Sequence, residues 1–488
     1  MVESTVDLST PRRIHIIGVG GSGMSAIAEI LAGSGHRVSG SDLRSSAPLE
    51  RLRARGLAMS VGHVAEQVAD AEIVALSTAV PESNPEVLHA RRLGVQVVTR
   101  ATILSAITAQ HRTISVAGTH GKTTTSAMLT AALLGAGLEP SYIVGGDLRD
   151  LGHGAAVGEG DLLVVEADES DGTFVELASS AVVVTNVEPD HLEHYGGFSG
   201  LEAAFVRFIE QCDGPRLVCL DDPGSARLAT VGVVTTYGVA TDADYRIVDP
   251  MPTPVGISFS VVDRTSGPLR RSREIRLLQP GMHNARNATA AYAIAVELGA
   301  DPELVADALS SFGGVGRRFE LRGIHDEIQL FDDYAHLPTE VASALSAARS
   351  IRPERLVAVF QPHRFSRTDQ LWSTFGDAFV DAEMLVVTGI YAAGEAPRAG
   401  ITGRLIVDEV LRLHPESDVR YVEDLEQVVD LLADELRAGD LCLTLGAGDL
   451  TLLPDRVLSR LQRRSKQSDQ QTDQQTDQQT DQQTEEGS

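Results

Sequence analysis

Short apolar segments alternate with helical patterns over most of the chain. Among the first 110 residues, the segments "RIHIIGVG", "EIVALSTAV" and "VQVVTR" have the composition of strands, and "MSAIAEILAGSG" has the spacing of a helix. Strands that alternate with helices are typical of a parallel sheet covered by helices. The pattern therefore predicts an α/β domain over residues 1–110.

The same alternation predicts two more domains and a tail. Strands such as "RTISVAG" and "SAVVVTNV" indicate a central domain over residues 111–318, and the strand-rich residues 235–280 predict an antiparallel patch inside it. "RLVAVFQPH" and "LCLTLGAG" indicate a third α/β domain over residues 319–462. Residues 463–488 largely repeat a polar TDQQ unit, and without apolar side chains to bury this tail is predicted to be disordered.

The composition is consistent with a multidomain protein and limits the classes of partner that it can bind. A chain of 488 residues is long enough for about three domains. Its formal net charge of −27 argues against nucleic acid, because a polyanion would be repelled. Three cysteines without metal-ligand spacing indicate free thiols in a reducing compartment. The sequence has neither a signal peptide nor an apolar run of about 18 residues, so we expect a cytoplasmic protein without membrane insertion.

The segment "AGTHGKTTT" predicts a phosphate-binding loop. It follows an apolar strand, precedes a helical pattern, and differs from the usual phosphate loop in having Val116 where a glycine is expected. Only two of the 41 basic residues are lysines, Lys122 and Lys466, which indicates that Lys122 is chemically required. An ammonium group can reach the β- and γ-phosphates of a nucleotide, and the neighbouring Thr123 hydroxyl is of the kind that binds Mg²⁺. The loop therefore predicts an ATP site.

Acidic residues follow the next central strand. "DLLVVEADESD" ends in Glu166, Asp168, Glu169 and Asp171, which would lie beside the phosphate loop in a parallel sheet and could bind Mg²⁺. His191, after the following strand, is either a second metal ligand or a residue at the start of a helix. Two Mg²⁺ ions would suit phosphoryl transfer to an anionic acceptor.

The first domain contains a glycine pattern typical of dinucleotide-binding folds. Gly18, Gly20 and Gly23 lie between a strand and a helix, and Asp42 ends the next strand. Read alone, the pattern suggests an NAD-dependent dehydrogenase. Because the same geometry binds any pyrophosphate and the chain already has an ATP site, a different diphosphate is the preferred ligand.

A series of motifs resembles, in order, those of the Mur ligase family over about residues 12–460. They are "GVGGSGMSAIAEIL", "SDLRSS", "LSTAVPESNPE", "GTHGKTTT", "EADESDGTF", "TNVEPDHLEHYG", "GMHNARNATAA", "GVGRRFE", "DDYAHLPTE", "FQPHRFSRT", "YAAGE" and "LGAGD". The resemblance implies an N-terminal Rossmann-like domain for a UDP-linked substrate, a central P-loop ATPase domain with a mostly parallel sheet, and a C-terminal Rossmann-like domain for the amino acid. It implies UDP-N-acetylmuramate and L-alanine as substrates, ATP, two Mg²⁺ ions that Mn²⁺ can replace, and a monomer or weak homodimer.

The resemblance also implies roles for individual residues. Those expected to hold ATP are Gly118, Thr119, His120, Gly121, Lys122, Thr123, Thr124, His283, Asn284, Asn287, Arg318 and Asp332. Those expected to bind the sugar nucleotide and the amino acid are Gly18, Gly20, Gly21, Ser22, Gly23, Met24, Asp42, Ser77, Tyr334, His336, His363, Arg364 and Arg367. The expected magnesium ligands are Thr123, Glu166 and His191, and the residues expected to act in catalysis are Lys122, Glu166, His191, Arg318 and His336.

Two features depart from the family pattern. Leu337 stands where the family often has a second consecutive histidine, which weakens any role for that position but not for His336. Several related ligases use a carbamylated lysine near the second metal, but no lysine occurs between Lys122 and Lys466.

The implied reaction activates a carboxylate as an acyl phosphate, which the amine of the amino acid then attacks. The proton acceptor is left open between His336, His363 and a metal-bound or solvent route. A nucleotide switch without turnover is the other alternative to a ligase.

Overall fold

The first sheet is parallel throughout. The computed structural model describes residues 6–265 and 271–465, and the strands of these residues form three sheets. The strands of the first sheet are β1 (Arg13–Ile17), β2 (Arg37–Asp42), β3 (Ala58–Val61), β4 (Ile73–Leu76) and β5 (Gln96–Thr99). Its helices are α1 (Ser22–Gly33), α2 (Ala47–Ala54), α3 (Pro85–Leu93) and α4 (Arg100–Thr108). The order β3-β2-β1-β4-β5 confirms the predicted Rossmann-like fold.

The second sheet has ten strands, and the phosphate loop follows one of its interior strands. The strands are β6 (Arg112–Ala117), β7 (Ser141–Ile143), β8 (Ala155–Ala156), β9 (Leu162–Glu166), β10 (Ser179–Val184), β11 (Arg216–Cys219), β12 (Thr235–Gly238), β13 (Tyr245–Pro252), β14 (Ile257–Asp263) and β15 (Arg271–Leu277). The helices are α5 (Lys122–Gly135), α6 (Leu192–Tyr195), α7 (Phe198–Glu210), α8 (Pro223–Leu228), α9 (Met282–Glu297) and α10 (Pro302–Ser310). The order is β15-β14-β13-β12-β11-β10-β6-β9-β7-β8.

Parallel pairing places the ends of three central strands together. β6 lies between β9 and β10 and is parallel to both, so the segments that leave their carboxyl ends meet at one edge of the sheet. The antiparallel patch predicted for residues 235–280 is confirmed for β14 and β15. It is wrong for β12 and β13, which pair in parallel.

The third sheet is parallel except at one edge. Its strands are β16 (Glu320–His325), β17 (Ile328–Asp333), β18 (Arg355–Phe360), β19 (Met384–Val387), β20 (Asp418–Tyr421) and β21 (Asp440–Leu445). Its helices are α11 (Pro338–Ser350), α12 (Phe365–Leu371), α13 (Arg404–Leu413) and α14 (Leu425–Glu435). In the order β16-β17-β21-β18-β19-β20, only β16 pairs in an antiparallel manner among the described residues.

The described residues divide into two compact units, with the main boundary between Gly316 and Arg317. The first unit contains the first two sheets, and the second contains the third. The predicted domain boundaries at residues 110, 318 and 462 stay predictions. Residues 453–465 are helical, so the prediction of disorder is wrong for residues 463–465, and the rest of the predicted tail lies outside the described residues. Within residues 6–265 and 271–465, every helix is too short or too polar to cross a bilayer.

An aromatic cluster supports the segment that follows the acidic loop. Phe174 is fully buried, with its ring centroid 5.0 Å from that of Phe205 and 5.1 Å from that of Phe208, both on α7. Tilted aromatic pairs at this spacing add to the free energy of burial. The cluster therefore fixes the chain just beyond the acidic residues of the site.

We expect Phe174→Ala to lower the free energy of unfolding by about 3 kcal/mol or more, because it removes a fully buried ring and leaves a cavity. A thermal melt of the unliganded protein measures the effect. Val233→Ala is the control, since Val233 is 90% exposed and its loss should leave the melting temperature unchanged. Equal melting temperatures for the two variants would contradict the expectation.

Candidate active site

The predicted phosphate loop connects β6 to α5. Gly118 and Gly121 have φ values of +136° and +78°, which side chains other than glycine rarely adopt. A Cβ atom on Gly118 would collide with Thr185 Oγ1, and one on Gly121 would lie 2.7 Å from Asn287 Oδ1. The loop therefore requires glycine at both positions, and the structure places the predicted Asn287 beside it.

Residues at the end of β10 hold the loop in shape. His120 N–H donates to Asn186 Oδ1 (2.7 Å), and Asn186 Nδ2 donates to the His120 carbonyl (3.0 Å). Thr185 Oγ1 donates to the same carbonyl (2.6 Å), and Thr119 N–H donates to the Asn186 carbonyl (3.2 Å). Sequence analysis did not single out Asn186, although its place directly after a central strand was the available signal.

The first turn of α5 suits an anion. Its N-cap is Gly121, which has no side chain to cap the helix, and its first backbone bond runs from Thr125 N–H to the Gly121 carbonyl (2.9 Å). The N–H groups of residues 122–124, including the predicted Thr124, precede that bond. Backbone N–H groups and the helix dipole both favour a phosphate at such an end.

The Lys122 ammonium group folds back over the loop. Nζ donates to the carbonyls of Gly118 (2.6 Å) and Thr119 (3.2 Å) and forms an ion pair with Glu169 Oε2 at 2.8 Å. Burial alone would lower the pKa of Lys122, but the carboxylates of Glu169, Asp168 and Glu166 raise it above its ordinary value. Burial raises the pKa of Glu169 to about 7 against the lowering effect of Lys122. Sequence analysis placed Glu169 beside the loop as a possible Mg²⁺ ligand but did not predict its ion pair with Lys122.

Two of the three predicted magnesium ligands lie together. Thr123 Oγ1 donates to Glu166 Oε1 (3.0 Å), and Gly145 N–H donates to Glu166 Oε2 (2.7 Å). A hydroxyl beside a carboxylate provides the oxygen donors that Mg²⁺ prefers, so these residues fit the ion. His191 is the N-cap of α6, with Nε2 3.3 Å from Asp190 Oδ2, and its role as a ligand stays a prediction. Among the described residues, no three His, Cys, Asp or Glu side chains form a metal centre by themselves.

The glycine-rich loop of the first sheet is held by the end of β2. Gly20 N–H donates to Asp42 Oδ2 (2.9 Å), and Gly18 N–H donates to the Ser41 carbonyl (2.8 Å). A Cβ atom on Gly18 would lie 3.0 Å from Ser77 Cβ, so the predicted Ser77 also lies beside the loop. Met24 is 3% exposed and packs in the core, so its side chain lies away from a ligand at the surface.

The remaining glycine-loop residues occupy the start of α1. Gly21 is its N-cap, and Ser22 and Gly23 are in its first turn. This is the position where a dinucleotide-binding fold presents backbone N–H groups to a pyrophosphate. The structure therefore brings the predicted sugar-nucleotide residues of the first sheet to one edge.

The predicted substrate residues of the third sheet form one cluster. The His336 ring centroid is 5.5 Å from that of Tyr334 and 5.6 Å from that of His363, and Arg367 Nη1 lies 3.0 Å from His363 Nδ1. Arg364, the next residue after His363, has φ +67° and is the N-cap of α12. Burial lowers the pKa of His363 to about 3, with His336, Arg367 and Arg364 acting in the same direction. The imidazole of His363 is therefore neutral at neutral pH.

Two adjacent aspartates at the end of β17 differ in burial. Asp332, predicted to lie near the ribose of ATP, is fully buried and accepts hydrogen bonds from Thr444 Oγ1 (2.8 Å) and Thr451 Oγ1 (2.7 Å). Successive side chains of a strand point to opposite faces, and this one points into the protein. Asp333 is partly exposed and accepts from Phe319 N–H (2.7 Å), and burial raises its pKa to about 6. The contact of Asp332 with ATP stays a prediction.

The other predicted residues occupy two segments. The guanidinium carbon of Arg318 is 5.0 Å from the centre of the Tyr334 ring, and that of Arg317, which sequence analysis missed, is 4.9 Å from it. His283 and Asn284 belong to the first turn of α9, one turn before Asn287. Their contact with adenine stays a prediction.

We expect the His363 imidazole to remain neutral between pH 8 and pH 5, as read from its ¹⁵N chemical shifts, because its pKa of about 3 lies below the ordinary 6.5. Since the unfolded chain would bind a proton near the ordinary pKa and the folded chain would not, this residue lowers stability as pH falls below that value. Arg367→Met should raise the pKa of His363 without restoring its ordinary value, because burial is the largest cause. Protonation of the wild-type ring near pH 6.5 would contradict this.

Comparison with known proteins agrees with this arrangement. Three family descriptions match the chain: "Mur ligase family, catalytic domain" over residues 13–112, "Mur ligase middle domain" over residues 116–295, and "Mur ligase, glutamate ligase domain" over residues 317–448. They follow one another through all three sheets.

Individual relatives are similar over nearly the whole chain. A protein of Kineococcus radiotolerans named UDP-N-acetylmuramate–L-alanine ligase is 46% identical, with 93% of this chain and 97% of that protein covered. One of the same name from Rubrobacter xylanophilus is 43% identical, with 92% and 100% covered. The crystal structure of the UDP-N-acetylmuramate–alanine ligase MurC of Thermotoga maritima is 29% identical, with a TM-score of 0.77 and 93% and 99% covered. On this evidence the chain belongs to the Mur ligase family.

Proposed function

We propose that the protein is an ATP-dependent ligase that joins L-alanine to the lactyl carboxylate of UDP-N-acetylmuramate, a step in the synthesis of peptidoglycan precursors. The proposal is supported by relatives that bear this name and cover at least nine-tenths of the chain. The observation that carries it is the phosphate loop, in which Lys122 Nζ lies over the loop carbonyls while Thr123 and Glu166 present oxygen atoms beside it. These groups suit the transfer of a phosphoryl group.

The first step moves the γ-phosphoryl group of ATP to the carboxylate of the sugar nucleotide. The carboxylate oxygen attacks phosphorus, the bond to the β-phosphate oxygen breaks, and ADP and an acyl phosphate result. Both reactants are anions, so the step needs fixed positive charge where negative charge develops. Lys122 supplies it from the loop, and the N–H groups of residues 122–124 orient the phosphates. Mg²⁺, when bound at Thr123 and Glu166, would neutralise further negative charge.

The second step forms the amide. The neutral amine of L-alanine attacks the acyl carbon, the acyl–phosphate bond breaks, and inorganic phosphate leaves with the bonding electron pair. Arg364 and Arg367 are suited to bind a carboxylate, because a guanidinium group forms paired hydrogen bonds with it. A histidine with a pKa of about 3 binds a proton weakly, so His363 serves as a hydrogen-bonding group rather than as the base. The identity of the base stays open.

Several finer features belong to the same proposal. Two Mg²⁺ ions, their replacement by Mn²⁺, the catalytic roles of His191, Arg318 and His336, a cytoplasmic location and a monomeric or weakly dimeric state all stay predictions. The glycine-rich loop of the first sheet is proposed to bind the UDP diphosphate. The dehydrogenase alternative receives no support from the relatives, which are named as ligases.

We expect Lys122→Ala and Lys122→Arg each to lower kcat/KM by about 100-fold or more, because neither places an ammonium charge on the phosphates. Phosphate release is measured with each of the three substrates omitted in turn, and release by the wild type should require both the sugar nucleotide and L-alanine. Arg112→Ala is the matched control: it removes an exposed cation at the start of β6. Near-normal turnover by both Lys122 variants would refute the assignment of the loop.

We expect Glu166→Gln to raise the Mg²⁺ concentration needed for half-maximal activity at least about tenfold, because an amide lacks the charge that attracts the ion. A Mg²⁺ titration of the initial rate at saturating substrates measures the shift. Asp161→Asn, at an exposed carboxylate just before β9, should leave the titration unchanged. An unchanged midpoint in Glu166→Gln would remove this residue from the metal site.

A further inference from the structure

A buried acid lies behind the glycine-rich loop of the first sheet. Glu86, in the first turn of α3, is 0% exposed. Its carboxylate meets three polar side chains: Ser41 Oγ donates to Oε2 (2.6 Å), His63 Nδ1 lies 2.9 Å from Oε2, and His15 Nε2 lies 3.4 Å from Oε1. Ser39 Oγ lies 2.9 Å from the other ring nitrogen of His15. We call Glu86, His15, His63 and Ser41 the Glu86 cluster.

The protonation of the Glu86 cluster follows from its hydrogen bonds. Burial raises the pKa of Glu86, but the hydrogen bond from Ser41 and the nearby imidazoles of His15 and His63 outweigh burial and hold the pKa below the ordinary value for glutamate. Glu86 is therefore ionised at neutral pH. Because a carboxylate only accepts hydrogen bonds, His63 Nδ1, which lies 2.9 Å from it, carries a proton.

The Glu86 cluster is connected to the loop through one residue. The carbonyl of Ser41, whose hydroxyl is bound to Glu86, accepts hydrogen bonds from Gly18 N–H (2.8 Å) and Val19 N–H (3.1 Å). The next residue, Asp42, accepts from Gly20 N–H through its side chain (2.9 Å) and from Gly62 N–H through its carbonyl (2.8 Å). Glu86 thus fixes the end of β2 from one side while the loop is bound to the other.

Packing alone does not account for this acid. A buried carboxylate costs free energy to desolvate, and apolar side chains of similar volume often serve stability as well or better. The neighbouring buried residues of α3, Val87 and Ala90, are apolar. Buried hydrogen-bonded groups of this kind lock the rotamers of the residues that contact a ligand.

We propose that Glu86 is a positioning residue for the sugar nucleotide: through Ser41 it holds the glycine-rich loop in the shape that binds the UDP diphosphate. This inference rests on the proposed function of that loop. The inference concerns binding in the first domain. Loss of Glu86 should therefore weaken the binding of the sugar nucleotide without changing the use of ATP or L-alanine.

The test compares Glu86→Gln with the wild type. We expect the KM for the sugar nucleotide and the Kd for UDP, measured by calorimetry, to rise together by about tenfold or more, because the charged acceptor that holds Ser41 is lost. A tenfold rise corresponds to about 1.4 kcal/mol of binding free energy. The kcat and the KM values for ATP and L-alanine should stay within about twofold of wild type. The matched control is Glu82→Gln. Glu82 precedes α3 and forms an exposed ion pair with Arg91, so its replacement should change none of these values.

Further variants keep the test decisive. Ser41→Ala keeps the carbonyl that binds the loop but loses the hydroxyl bound to Glu86, so it should reproduce part of the rise in Kd even if Glu86→Gln folds poorly. Glu86→Asp, which keeps the charge, should bind UDP more tightly than Glu86→Gln. A lower melting temperature with an unchanged Kd for UDP in Glu86→Gln and Ser41→Ala would show a purely structural role and overturn the inference. Failure of the wild type to bind UDP would instead overturn the proposed function of the loop.

Discussion

The central constraint of the structure is a largely buried ammonium group that must be kept charged. Lys122 lies among carbonyl oxygens and the carboxylates that follow β9, and its ion pair with Glu169 offsets the cost of removing its charge from water. This requirement explains why the acidic segment follows the strand next to β6. The loop that presents Lys122 contains two glycines because its backbone passes too close to Thr185 and Asn287 for a side chain.

The sequence was sufficient to predict what depends on local spacing. The phosphate loop, the acidic strand end and the glycine-rich loop each occupy one continuous segment, and parallel pairing of neighbouring strands brings such segments to one edge. The burial of Asp332 could not be predicted from residue spacing. This residue belongs to a strand whose two faces are both covered, so alternation of apolar and polar residues does not reveal which of two adjacent aspartates faces outward.

Contacts between distant segments could not be predicted from one sequence. Asn186 binds the loop at His120 across 66 residues, and Glu86 meets Ser41 across 45. Asn186 is marked only by its place directly after a central strand, and Glu86 has no local pattern that distinguishes it from a surface acid. Their roles appear only when the sheet is formed. Both support residues that the sequence did identify. Residues expected to contact a ligand were therefore easier to predict than the residues that hold them in place.

The ion pair at Lys122 has a practical consequence because lysine is so scarce in this protein. The chain has only two lysine side chains, and that of Lys122 is 13% exposed and paired with an acid. Lys122 is therefore the single lysine target of an amine-selective acylating reagent among the described residues, and its slow reaction there would report how tightly the pocket is closed. Peptide mass spectrometry could then follow nucleotide occupancy in a crude extract, with no radioactive tracer and no engineered label.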